Sequence, residues 1–220
     1  MKDRFYLRSP HGNTGSNMVF HAIDGKGYTS NLDLAHVYSL EEAQKEYELS
    51  RDDEYPISTD HIDSLSIAKV DHQCLPAISD LTPSDKYVVF IKGIFDGNDV
   101  YWVDMNGRRS TNFIHAQIIS RTAAECINHV DYVVVPFELA DKMKRRTFNA
   151  SLLNKRKMVT AAGLKTPERL KKRRRRIVNP MTRFNCPACG KINWQHNPYD
   201  FDGCKHCDEG LLIGSQWGAA

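Results

Sequence analysis

Sliding the chain along itself by 81 residues brings like residues into register, and this recurrence restricts the fold more than any other feature. Tyr6 meets Tyr87, and Val19-Phe20 meets Val100-Tyr101. Asn31, Ala35, Ser39 and Ala43 meet Asn112, Ala116, Ser120 and Ala124 without a gap. The turn Asp24 to Gly27 meets Met105 to Arg108, and one deletion brings Pro56 onto Pro136. Each unit reads as strand, strand, helix, strand. In the first, Arg4 to Arg8 and Met18 to Ile23 have strand composition, separated by a Gly-, Asn- and Ser-rich loop from His11 to Asn17. Ser39 with Glu42 three residues on is a capping box, which predicts a helix from Leu40 to Leu49. Pro56 lacks an N–H and marks an edge strand. At roughly 70 residues, neither unit buries much surface alone, so the two are expected to pack together.

Charge divides the chain differently. Residues 1–84 carry seven Lys and Arg against fourteen acids, and residues 85–141 carry five against eight. From Lys142 to Arg176 there are fifteen bases and one acid, Glu168. Phe137 to Thr147 has helical period, and Asn149 to Ala162 is a second candidate helix ended by Gly163. Thr166-Pro167-Glu168 is a helix start, with Thr at the N-cap, Pro at N1 and an acid in the first turn. The helix it opens carries the run Lys171 to Arg176. Such density is the electrostatic footprint of a phosphate-backbone binder. The expected contacts are Lys155, Arg156, Lys157, Arg169, Lys171, Lys172, Arg173, Arg174, Arg175 and Arg176. The competing partner for the same charge is an acidic protein surface, including the acidic modules of this chain.

Beyond the run, Cys186-x-x-Cys189 and Cys204-x-x-Cys207 form two pairs with fourteen residues between the inner cysteines. Two intervening residues let one tight turn present both thiolates to a single ion, and Gly190 and Gly203 supply the backbone freedom such turns use. Four thiolates close a tetrahedral site, so one structural Zn²⁺ is expected and no open coordination position. The stretch 183–212 resembles a zinc ribbon of the four-cysteine type. Trp194 and Tyr199 in its long loop are read as core cover or, alternatively, as stacking platforms for a base. Cys126 falls on a predicted helix at a core-like position and is expected to be buried and inert.

The fold class expected is therefore α+β. Two tandem duplicated β-β-α-β modules at residues 1–73 and 84–148 precede a basic helical connector at 149–180, the zinc ribbon at 181–212 and a tail at 213–220. Nine histidines are scattered, and no H-E-x-x-H, P-loop or G-x-G-x-x-G occurs, so no enzymatic activity and no small-molecule substrate are expected. No apolar run is long enough to span a membrane, and the N-terminus lacks the apolar stretch of a signal peptide, so the expected location is the cytoplasm. Gly27-Tyr28-Thr29, Ala35, Tyr38 and Glu41-Glu42-Ala43 resemble small accessory proteins of bacteriophages and prophages over residues 4–70. Arg108-Arg109-Ser110 departs from that pattern in the second module. The resemblance implies a bacterial host cytoplasm and a role in phage–host interaction, with no activity attached. The expected function is a non-enzymatic nucleic-acid-binding accessory protein, for DNA or RNA. The alternative is an inhibitor that binds a host protein, of the anti-defence or anti-restriction type, through its acidic modules.

Overall fold

The computed structural model describes residues 3–173, 180–196 and 203–207. The chain divides into two compact units, Met1–Leu170 and Lys171–Ala220. Strands and helices are mixed throughout, as an α+β class requires.

In the first half, the strands are β1 (Arg4–Thr14), β2 (Asn17–His21), β3 (Tyr28–Thr29), β4 (Val37–Ser39), β5 (Pro56–Ser58) and β6 (Ile67–Val70). Helix α1 (Leu40–Leu49) and helix α2 (Thr59–Ser64) complete it. Strand β1 is the hub: its first residues pair with β4 and β5, and the rest pairs with β2, all antiparallel. The loop expected from His11 to Asn17 is instead mostly strand. Only Gly15 and Ser16 turn, because Gly15 takes φ 58° and closes a two-residue hairpin between Thr14 and Asn17.

The second half has β7 (Tyr87–Asp96), β8 (Asp99–Val103), β9 (Arg109–Ser110), α3 (Arg121–Glu125), β10 (Tyr132–Pro136), α4 (Phe137–Met143) and β11 (Lys144–Thr147). Its sheet runs β10-β7-β8-β9. The caps agree with an offset of 81: Asn31 and Asn112 accept from the backbone two residues on, and Ser39 and Ser120 cap α1 and α3. Ala43 and Ala124 are both buried.

The strands, however, correspond at 82, not 81. Arg8 faces Phe20 as Phe90 faces Trp102, and Thr14 faces Asn17 as Asp96 faces Asp99. The place of Phe20 is thus taken by Trp102 and that of Phe5 by Tyr87. The extra residue is absorbed in the β2–β3 turn, which has six residues between His21 and Tyr28 against five between Val103 and Arg109. A one-residue slip exchanges the two faces of a strand, so the tertiary register overrides the gapless sequence match. Further on, Pro136 takes the place of Ser58, not Pro56: each precedes a helix and pairs at the same point of its sheet.

The helix expected over Phe137 to Thr147 stops at Met143, and Lys144–Thr147 becomes β11, which pairs antiparallel with β6. The helix expected over Asn149 to Ala162 is replaced by a 3-10 turn, Ala150–Leu152, and a single π-type turn, Arg156–Thr160. The reason is that this segment is claimed by tertiary packing. After β6 the chain docks on the β7–β8 hairpin, where His72 N–H donates to Asn98 at 2.8 Å. After β11 it docks on the β1–β2 hairpin, where Ala150 N–H donates to Ser16 at 2.9 Å and Met18 N–H to Phe148 at 2.9 Å. Val70 and Leu75 accordingly lie in the second core. Phe148, Met158, Val159 and Leu164 lie in the first. Each half fills its core with residues that follow the other half's crossing strand, and residues 149–170, expected as connector, belong to the first compact unit.

Where the halves meet, the two hairpin turns touch through Gly15 and Gly97. A Cβ on Gly97 would stand 2.7 Å from the Gly15 nitrogen, and one on Gly15 would overlap the Gly97 backbone. Both glycines also have positive φ. Gly15→Ala is therefore expected to destabilise by at least about 2 kcal/mol. Gly107→Ala, with positive φ but open space around it, should cost only about 1 kcal/mol. Urea melts of the two variants check this, and equal losses would mean the turn-to-turn approach carries no weight.

Beside these turns lies a buried polar seam. The Lys69 side chain is fully buried; its Nζ donates to Asp96 Oδ2 at 2.8 Å and Ser16 Oγ at 2.9 Å and lies 3.6 Å from Asp99 Oδ2. Asp99, also fully buried, accepts from Arg145 Nη2 and Asn17 Nδ2, each at 2.5 Å. The equivalent positions in the opposite sense are Thr147 for Lys69, Thr14 for Asp96 and Asn17 for Asp99. The charges are thus built once, not twice, and the pairing across the seam is directional.

Candidate metal centre

In the second unit, β12 (Thr182–Asn185) and β13 (Ile192–Gln195) form an antiparallel hairpin, with Asn185 opposite Ile192. Its tip is the first cysteine pair. Cys186 N–H donates to Lys191 O at 2.8 Å and Gly190 N–H to Cys186 O at 2.8 Å, which curls the chain back, and Gly190 sits at φ 72°. Gly203, at φ 110°, leads into the second pair.

All four thiols are free, and their sulfurs lie within 4.8 Å of one another. Cys186 Sγ is 3.8 Å from Cys207 Sγ, and Cys189 Sγ is 3.6 Å from Cys204 Sγ. A tetrahedron with metal–sulfur bonds near 2.3 Å has edges of about 3.8 Å, so the donor set fits a metal ion such as zinc. Desolvation raises the Cys204 thiol, but hydrogen bonds from Asn193, the backbone N–H groups of His206 and Cys207, and Cys189 outweigh it and bring its pKa to about 6. That favours the thiolate, which is the form that binds metal. Neither His196 nor His206 belongs to the cluster.

Sequence reasoning missed Asn193. It is 5% exposed; its Nδ2 donates to Lys191 O at 3.2 Å and Cys204 Sγ at 3.3 Å, and its Oδ1 accepts from Lys205 N–H at 3.2 Å. It ties the hairpin to the second cysteine pair, as an outer-shell residue of a metal site does. The sequence points the other way, since Asn193 is the polar residue between apolar Ile192 and Trp194, yet the strand buries it and exposes both.

The remaining expected residues divide. Trp194 is 45% exposed on β13, while Tyr199 lies outside the described residues. Helix α5 (Glu168–Arg173) begins where Thr166-Pro167-Glu168 predicts. Arg169 turns inward: its guanidinium reaches Asp52 at 2.8 Å, Tyr47 O at 2.8 Å and Glu48 O at 3.3 Å, clamping α5 to α1. Lys155 lies over the Tyr55 ring at 4.0 Å, and Arg156 and Lys157 are exposed. Lys171 is exposed; Lys172 and Arg173 continue α5, and Arg174, Arg175 and Arg176 lie outside the described residues. Cys126, expected in the core, is exposed at the C-cap of α3, because that helix ends at Glu125, one residue after the buried Ala124.

No protein-family model matches the chain, and neither the curated proteins nor the solved structures compared with it give a match. The likeness to phage accessory proteins therefore rests only on the residues quoted for it. Among the described residues no helix is long and apolar enough to cross a membrane.

Proposed function

We propose that the chain is a non-enzymatic nucleic-acid-binding accessory protein: two copies of one α+β module, interlocked, present a basic segment followed by a zinc ribbon. The duplication is supported by shared caps, strand registers and hairpin turns. The ribbon is supported by four thiols at tetrahedral spacing on a hairpin tip. The observation that carries the function is the density of the basic segment, fifteen Lys and Arg against one acid from Lys142 to Arg176. Lys144, Arg145, Arg146 and Arg169 pair with acids of the same chain. Arg156 and Lys157 are exposed, and the run Lys171 to Arg176 leads in sequence into the ribbon, where Trp194 is exposed.

Binding of random-sequence DNA and RNA across a salt series tests this. With roughly six phosphates neutralised, affinity should fall about 10³-fold between 50 and 200 mM salt. Replacing Arg174, Arg175 and Arg176 with Ala should flatten that salt slope by close to three. Absence of binding at low salt refutes the reading. A host protein retained after nuclease treatment, with no direct binding to nucleic acid, transfers the role to the acidic modules.

A further inference from the structure

The first half holds an open pocket of about 350 Å³ lined by His21, Asp24, Tyr28, His36 and Tyr38 and by the backbone of Ala22, Gly25 and Gly27. Its aromatic walls are ordered by one another. Tyr28 meets His21 edge-on at 5.0 Å and His11 at 4.8 Å, and His36 meets Tyr38 edge-on at 4.5 Å. Glu54 Oε1 lies 2.7 Å from His21 Nε2. We propose that this pocket binds a compact organic cation: a lysine or arginine side chain of a basic peptide, or a free alkylammonium.

Three observations point to this class. Two tyrosines, Tyr28 and Tyr38, line the space, and a cation over a tyrosine ring is attracted by its quadrupole. The charges nearby are acidic: Asp24 lines the pocket and Glu54 backs His21. Burial raises the Tyr38 hydroxyl, and Glu46, Glu54 and Glu42 raise it further, so the acidic field reaches the wall itself. Lys26, between the lining residues Gly25 and Gly27, pairs with Asp24 at 3.2 Å with both side chains 71% exposed, a weak contact that a ligand can replace. The volume lies at the small end of ligand pockets, suited to a single head group. A metal ion is the poorer fit, since among the described residues the four cysteines are the one group arranged for metal. The register also marks the pocket as a feature of this half: the positions of His21, Tyr28, His36 and Tyr38 are taken by Val103, Arg109, Gln117 and Ile119 in the other.

The test is an NMR titration of the full chain, reading the ring signals of Tyr28, Tyr38, His21 and His36. Choline and arginine amide should shift them saturably, and the neutral carbon isostere of choline should not. Tyr28→Ala, an exposed rim change that leaves the core intact, should weaken the cations roughly tenfold. Arg109→Ala at the equivalent place should leave them unchanged. Tighter binding of a lysine-rich peptide than of choline assigns the site to a protein side chain, and the reverse order to a small amine. Equal response to the neutral isostere, response to adenosine monophosphate in place of the cations, or no response at all overturns the proposal.

Discussion

Lys69→Met is expected to destabilise the protein by about 3–5 kcal/mol and lower the melting temperature by roughly 10 °C. The size follows from what is left behind. Asp96 loses its 2.8 Å partner, and the fully buried Asp99 loses one of the two cations beside it. A buried carboxylate without a cation costs far more than the pair contributes when intact. Adding Asp96→Asn to Lys69→Met should therefore recover part of the loss, since the orphaned charge is removed with its partner. Urea melts of the single and double variants decide it; strictly additive losses would mean the seam is packing, not charge pairing. The same contacts set an acid limit. Burial raises the Asp96 carboxyl, but hydrogen bonds from Lys69 and Ser16 more than offset it and leave its pKa below the usual aspartate value. A lowered folded-state pKa contributes stability above the unfolded value, about 3.9, and that contribution is lost as pH falls through the folded value. In Lys69→Met the acid-induced loss should be correspondingly smaller.

Removing the metal is expected to unfold the cysteine hairpin while leaving the unit Met1–Leu170 folded. Structural zinc contributes about 10–16 kcal/mol of apparent binding energy in small modules, where binding and folding are one equilibrium. The hairpin has little else: few of its described residues are buried beyond Cys186, Asn193 and Gln195. With chelator present, trypsin should cut at Arg183, Lys191 and Lys205, while the melting transition of the first unit stays in place. Purified protein should carry one zinc per chain, and cobalt exchanged into it should give the absorption of four thiolates. Asn193→Ala should lower metal affinity roughly tenfold without removing a ligand. A hairpin that stays protected from protease in chelator would remove zinc from the account of this fold.

The interlock also changes how the two halves relate. Deleting the first half would strip the second of Val70 and Leu75, and deleting the residues after β11 would strip the first of Phe148, Met158, Val159 and Leu164. The halves are expected to melt as one unit, although the sequence divides cleanly at Gln73 to Ser84.

What could be read without the structure is what local chemistry specifies. Ser39 with Glu42 announces the start of α1 because a cap bonds within three residues of itself, and Asn31, Asn112 and Ser120, which the sequence marks only as matched positions, cap in the same way. The four cysteines announce a metal site because two residues between each pair already shape the turn. Tertiary structure alone decided the one-residue slip between the strand pairs, since alternation looks the same on either face until a core claims one. It also turned Lys144-Arg145-Arg146-Thr147 from apparent helix into β11. Arg145 and Arg146 find Asp33, Asp63, Asp71 and Asp99 more than forty residues away, and no local preference encodes such partners. The same long-range demand turned Arg169 of the basic segment onto Asp52 and the end of α1. Local signals thus set the helix caps and the cysteine pairs. The register, the exchange of strands and the inward pairing of Arg145, Arg146 and Arg169 were set by which distant groups had to meet.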